Sequence, residues 1–321
     1  MEFRKLGKWG IRVSEVGLGS WLTYGGTVDE QNAVDQLLYA YSQGINFFDT
    51  ANVYAAGAAE VIVGKAVKQL RRDAVVVATK VFFPMGEGPN DKGLSRKHVF
   101  EQCHASLKRL NTDYIDLYQC HRYDPDVPIE EVVRAMDDLS RQGKILYWGV
   151  SEWTAGQIED AVEAARRLNA LPPVSNQPFY NMLDRTIEQE VIPVCRRLGL
   201  GQVVFSPLAQ GVLTGKYKPG QAPPPGTRAA DDRSNIFMLN RGLMTDDVLE
   251  RVQQLASLAR EAGLTTAQMA LSWCLRLNEV SSVIVGATRR EQIDENIKAS
   301  GICLTRDVLQ RVDQILGSLV A

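Results

Sequence analysis

An aspartate, Asp49, closes the apolar run "INFFD", and a tyrosine, Tyr54, follows five positions later among small residues. A lysine, Lys80, ends the run "AVVVATK", and a histidine, His121, comes directly after "YIDLYQC". A lysine ammonium beside a phenol favours the phenolate and lowers the tyrosine pKa. A carboxylate next to that lysine keeps it charged and fixes its position. The phenol is then a general acid near neutral pH, able to protonate a developing alkoxide. A neighbouring histidine can donate a hydrogen bond to the carbonyl oxygen and orient the substrate. This is the chemistry of carbonyl reduction, and no side chain delivers hydride, so a nicotinamide cofactor is implied. Taken singly, Asp49 reads as a cap, Lys80 as a solvated strand end and Tyr54 as packing. Their coincidence on one face is what favours a site. A Schiff-base role for Lys80 is opposed by the adjacent carboxylate, which keeps the amine protonated.

The elements that must position these residues follow from a repeated theme of apolar run, loop and amphipathic segment. Eight runs are visible: residues 14–19, 45–49, 74–80, 114–120, 145–151, 173–177, 202–206 and 281–286. Between them, "DEQNAVDQLLYAYSQG" has Asp29 as its N-cap and Gly44 as its stop. Further helices are expected to start at Ser95 and Pro128, the latter ending at Gly143. Strands alternating with helices imply parallel pairing through right-handed crossovers. Eight such units fit an α/β fold of the closed (β/α)8 TIM-barrel type. Residues 1–13 are an N-terminal extension, read as a hairpin over the barrel bottom. Two Gly/Pro-rich βα loops, 82–93 and 218–235, are long and stand where a barrel keeps its binding loops. No linker or low-complexity tract divides residues 1–321, so a single domain is expected. The polar strand ends Gly19-Ser20-Trp21, Asp49, Lys80, His121, Ser151, Asn176-Gln177, Ser206 and Gly286 should ring one mouth.

Bulk properties narrow the alternatives. A net charge of −2 argues against a general nucleic-acid binder. The longest apolar runs are too short to span a bilayer, and the opening residues lack a signal-peptide h-region. Five scattered cysteines without CxxC spacing argue against a disulfide framework or a metal site, and a cytoplasmic location is the expectation.

Several motifs in order, "FFDTANVYAAGAAEVIVGKA", "VVVATK", "IDLYQCHR", "WGVSEW", "NQPFYNML", "FSPLAQGVLTGKY" and "VIVGATRREQIDENI", resemble the aldo-keto reductase superfamily from end to end. The resemblance is strongest to the branch of bacterial reductases and potassium-channel β subunits. It implies a barrel that binds extended NADPH, in preference to NADH, with no metal. It also implies a catalytic tetrad of Asp49, Tyr54, Lys80 and His121, with Tyr54 as proton donor. Gly19, Ser20 and Trp21 match the first-strand loop of the cofactor site, while Ser151, Asn176 and Gln177 match holders of the carboxamide. Phe205 would stack on the nicotinamide. Ser206, Pro207, Leu208, Gln210 and Gly211 would line the pyrophosphate path, with Lys216 nearby. Arg228, Gly286, Thr288, Gln292, Glu295 and Asn296 match positions around the adenosine and its 2′-phosphate. "GATRREQIDEN" also sets a glycine turn before a helix N-terminus, a natural phosphate site, and Lys216 and Arg228 could clamp a dianion. The implied partner is a small-molecule aldehyde or ketone. Trp21, Tyr24, Phe82, Phe83 and Trp153 are candidates for an aromatic substrate wall, with either Phe82 or Phe83 free to pack inward instead, and Tyr54 and His121 reach the carbonyl itself. Glu152 departs from the arginine common in channel-subunit relatives, whereas His121 keeps the reductase residue. The Pro-rich 218–235 loop is suited to strap down the cofactor. The alternative is an NADPH-binding, channel-associated β-type subunit with low turnover. That branch also leaves room for a homo-oligomer, a tetramer being its frequent form.

Overall fold

Side chains alternate across a strand, and that alternation sorts this chain into an inside and an outside. In a computed structural model, which describes residues 1–21, 29–231 and 235–317, β1 (Phe3–Lys5) and β2 (Arg12–Ser14) form an antiparallel hairpin. Eight parallel strands then close on themselves in a barrel. They are β3 (Val16–Gly19), β4 (Phe47–Asp49), β5 (Val76–Val81), β6 (Ile115–Cys120), β7 (Ile145–Ser151), β8 (Ser175–Gln177), β9 (Gly201–Phe205) and β10 (Val280–Val285). Around them run α1 (Glu30–Ser42), α2 (Ala58–Val67), α3 (Arg96–Leu110), α4 (Ile129–Arg141), α5 (Ala155–Leu168) and α6 (Val191–Leu198). α7 (Ile236–Asn240), α8 (Asp246–Glu261), α9 (Thr266–Leu275), α10 (Arg290–Ile297) and α11 (Arg306–Leu316) complete the shell. The expected (β/α)8 barrel with its N-terminal hairpin is therefore what the chain adopts.

The expected caps are present. Asp29 accepts from the Asn32 amide at 3.0 Å, and Ser95 from the His98 amide at 3.3 Å. The strands are trimmed relative to the apolar runs for local reasons. "PVSNQ" forms a strand over Ser175–Gln177, preceded by Val174, which donates to the Trp148 carbonyl at 2.8 Å, and by Pro173, which has no amide hydrogen to donate. Ser14 belongs to the hairpin, and Glu15 turns aside to pair with Arg4 at 2.6 Å. The connection after β9 extends well past the Gly/Pro-rich stretch and folds α7 and α8 before α9 makes the crossover.

On β5, Val76 and Ala78 face the lumen with Lys80 above them, while Val77 and Val81 pack toward the helices. Phe47, Leu117, Val203 and Ile284 fill the lower lumen with them, and Leu6 and Val13 from the hairpin plug its base. The plug sits so close that a Cβ on Gly7 would lie 2.3 Å from the Gly199 carbonyl oxygen, and Gly7 holds φ +59°. Glycine is required there on both counts. Truncating the plug with Leu6→Ala should cost about 2–5 kcal/mol by transfer and cavity effects. Urea unfolding would show it as a lower midpoint with an unchanged slope. Among the described residues, no helix is long and apolar enough to cross a membrane.

Candidate active site

Above the apolar layer the same alternation turns polar, and the register brings the polar groups level. Asp49 pairs with Ala78 across β4–β5, and Lys80 with Gln119 across β5–β6. Lys80 is fully buried, and its ammonium donates to both Asp49 oxygens, at 2.6 and 2.8 Å, and to the Thr50 carbonyl at 2.8 Å. The Tyr54 hydroxyl lies 3.5 Å from the same ammonium, whose three N–H groups are already directed at these acceptors. Asp49 also accepts from Gln177 Nε2 at 3.0 Å and from Gln119 Nε2 at 3.5 Å. His121 is 7% exposed, stands edge-to-face with Tyr54 at 5.8 Å between centroids, and its Nδ1 has no partner among the described residues. The four tetrad residues are together at the C-terminal ends of β4, β5 and β6 and in the loop after β4.

The electrostatics differ from the sequence expectation at one point. Tyr54 is not acidified: burial pushes its phenol well above the ordinary value, the Asp49 charge adds to this, and Arg122 opposes it. Burial is the larger cause, and the Lys80 ammonium faces the Asp49 carboxylate at 2.6 and 2.8 Å. Burial likewise pulls the Lys80 ammonium below its ordinary value, with Asp49 resisting. His121 is held well below its ordinary value by burial first, then by the Lys80 and Arg122 cations, so its ring is neutral at pH 7. The resulting site holds a protonated phenol and a neutral imidazole.

Tyr54 owes its position to an unusual turn. Ala55 and Ala56 adopt left-handed φ of 49° and 52°, followed by Gly57 at 94°. Such conformations cost on the order of 1–3 kcal/mol per non-glycine residue and persist where the surroundings enforce them. The enforcement is visible. Buried Glu60 accepts from Thr79 Oγ1 at 2.5 Å and pairs with Arg109 at 2.5 Å, and the Arg109 stem lies where a Gly57 Cβ would be. Thr79 precedes Lys80 on β5, so this network ties the tyrosine turn to the lysine strand from the outside. Glu60→Gln should lower stability by about 1–3 kcal/mol and reduce kcat while KM holds. Loss of stability with kcat unchanged would reduce the network to scaffolding.

The cofactor candidates divide by location. Gly19 pairs in register with Asp49, and the Ser20 hydroxyl donates to Thr50 Oγ1 at 2.8 Å. Ser151 donates to the Gln177 carbonyl at 2.9 Å. Asn176 Oδ1 is buried with no partner among the described residues, which fits the amide N–H of a carboxamide. Phe205 is half-buried and edge-on to Phe179 at 5.5 Å. After β9, Ser206, Pro207 and Leu208 lead into a tight turn in which Ala209, Gln210 and Gly211 all have positive φ. A Cβ on Gly211 would lie 3.1 Å from the Lys216 ammonium, so that turn has a cation beside it. Arg228 donates to Gln210, and Gln210 to Ser206, which joins the seventh loop to the β9 end. Exposed Gly286 precedes Thr288, whose amide donates to Gln292 Oε1 at 2.7 Å. The Glu295 carbonyl accepts from Gln268 at 3.4 Å and Asn296 is buried, both on α10. The buried Asn176 acceptor, with no partner among the described residues, and the Lys216 and Arg228 cations near the β9 turn are a donor and acceptor set that fits a nicotinamide dinucleotide.

The aromatic wall is arranged differently from the expectation. Phe83 faces His121 at 4.8 Å, while Phe82 packs into the layer beneath the helices. Trp153 is 2% exposed and packs edge-to-face on Tyr123 at 5.0 Å, away from solvent. Trp21 instead meets Phe237 of α7 at 5.6 Å. Tyr24 lies outside the described residues. Glu152, at φ 57°, accepts from the Phe179 amide at 2.6 Å, and Arg241 lies over Phe179 while pairing with Asp184 at 3.1 Å. Sequence reasoning missed Gln119, Thr50 and Phe237. Gln119 was within reach, since it is two residues before His121 and so shares its face of β6. The other two depend on a backbone carbonyl and on a loop helix, neither of which leaves a periodic signal.

A buried Lys–Asp pair thus stands beside a tyrosine and a histidine at the C-terminal mouth of a parallel eight-stranded barrel, which places the chain in the class of (β/α)8 barrel proteins. The chain belongs to the aldo/keto reductase family, whose sequence profile matches residues 15–317, a family that generally binds NAD(P)H. It is similar to a probable voltage-gated potassium channel subunit beta of Arabidopsis thaliana, at 47% identity over 99% of this chain and 97% of the relative. A protein of the same description from Oryza sativa subsp. japonica is 45% identical, over 99% and 97%. A putative voltage-gated potassium channel subunit beta of Schizosaccharomyces pombe is 43% identical, over 98% and 93%.

Proposed function

We propose that this protein is an NADPH-dependent oxidoreductase that reduces aldehydes or ketones to alcohols. The observation that carries the reading is the Lys80 ammonium, gripped by Asp49 and Thr50 and still 3.5 Å from the Tyr54 hydroxyl. The bound nicotinamide would supply hydride. Tyr54 gives its proton to the alkoxide oxygen, and Lys80 faces the phenolate that remains. Neutral His121 offers an N–H to the carbonyl oxygen and fixes its approach. Asp49 holds Lys80 in place through two hydrogen bonds, which opposes nucleophilic use of the amine. Asn176, Ser151 and Gln177 would hold the carboxamide, Lys216 would stand near the pyrophosphate, and Arg228 would meet the 2′-phosphate, which favours NADPH over NADH.

The test is a panel of aldehydes and ketones with NADPH consumption as readout, run in parallel with NADH. Turnover that depends on NADPH supports the reading, and no turnover across the panel sinks it. A second reading, an NADPH-binding subunit that docks on a channel and turns over little, is favoured by the descriptions of the three relatives. Tight NADPH binding without turnover would support it. In either case a cytoplasmic homo-oligomer is proposed, with a tetramer as the form to look for by sedimentation.

A further inference from the structure

Arg122 follows His121 at the end of β6 and belongs to no part of the tetrad. Its Nη1 donates to the His121 carbonyl at 2.5 Å, and its guanidinium carbon lies 5.5 Å from the centre of the Phe83 ring. Phe83 in turn stands edge-on to His121 at 4.8 Å. The side chain is thus half-buried in the wall of the mouth, against the same rings that flank the proton donor. Four half-buried arginines each pair with a carboxylate: Arg4 with Glu15, Arg72 with Asp116, Arg109 with Glu60 and Arg276 with Glu188. Among the described residues, Arg122 has none within 4.0 Å, although its charge is felt at Tyr54, Lys80 and His121. Lys80 is balanced by Asp49, whereas Arg122, beside the same tetrad, has no carboxylate within 4.0 Å among the described residues. A guanidinium presents five N–H donors in a planar fork suited to a carboxylate, and one hydrogen bond to a backbone carbonyl leaves most of them unused.

We propose that Arg122 is a specificity-determining residue that pairs with a carboxylate on the substrate, so that the preferred substrates are carbonyl compounds carrying an anionic carboxylate near the reacting carbon. The inference rests on the reductase reading and deepens it. Substrate would then enter with its carboxylate on Arg122 and its carbonyl between Tyr54 and His121. Hydride and proton transfer are unaltered, since the carboxylate takes no part in bond making.

The experiment compares 4-carboxybenzaldehyde with methyl 4-formylbenzoate, which has the same skeleton without the charge, in the wild-type protein with NADPH and in the Arg122→Met and Arg122→Lys variants. A charged pair worth about 1.4 kcal/mol gives tenfold. The acid should therefore exceed the ester in kcat/KM by on the order of tenfold or more, mainly through KM. Arg122→Met should bring the two compounds close to parity, and Arg122→Lys should retain part of the preference. Parity in the wild-type protein, or a preference that survives in Arg122→Met, overturns the assignment. If neither aldehyde turns over, the reductase reading fails separately. Arg122 is then judged by calorimetric binding of the two compounds to the NADP+-loaded protein, where tighter binding of the acid supports the assignment and equal binding overturns it.

Discussion

Tyr54→Phe is expected to lower kcat for aldehyde reduction by about 10²–10⁴-fold, the span general acids contribute, with NADPH affinity by fluorescence titration close to wild type. The variant removes only the hydroxyl that Lys80 approaches at 3.5 Å and leaves the ring against His121. Because burial holds the phenol above its ordinary value of about 10, Tyr54 stays protonated through neutral pH. The wild-type rate should then show no loss from phenol ionisation up to roughly that value. Near wild-type turnover in the variant would remove Tyr54 from the role of acid. A rate that falls away through neutral pH with a tyrosine signature would contradict the electrostatic account instead.

Lys80→Met should have the largest effect on the fold. It strips Asp49 of its two shortest hydrogen bonds and leaves a 4% exposed carboxylate with the two glutamine amides alone. Breaking a buried pair from one side costs about 3–5 kcal/mol, read as a lower urea midpoint at pH 7, and carbonyl reduction should be lost with it. The double variant Lys80→Met/Asp49→Leu discriminates between the two effects, since it removes the orphaned charge. Stability should recover in large part while activity does not. A single variant as stable as wild type would mean that water reaches the pair.

Much of this was legible in the chain because strands and helices leave periodic traces. The eight apolar runs became the eight barrel strands, and Asp49, Lys80 and His121 could be placed because each ends such a run. Tyr54 was placed by its motif, but its mechanism of presentation was hidden, since left-handed Ala55 and Ala56 follow no propensity rule. The turn they belong to is flanked by the Glu60–Arg109 pair, whose arginine stem lies against Gly57. Phe82 and Phe83 could not be separated because the strand ends between Lys80 and the loop, where alternation stops predicting direction. The burial that holds the Tyr54 phenol above its ordinary value leaves no trace in the chain, where only the nearness of a lysine can be read.

The grip on Asp49 has one more consequence. Lys80 from β5, Gln119 from β6 and Gln177 from β8 all hold the same carboxylate of β4, so half the barrel's strands are laced together through one atom group. Selection for a folded barrel alone would preserve that lacing in a lineage that had given up chemistry. Asp49 and Lys80 are therefore weak witnesses to the trade a descendant practises. Tyr54 and His121 take no part in that lacing, so they are the residues on which the proposed reductase chemistry turns.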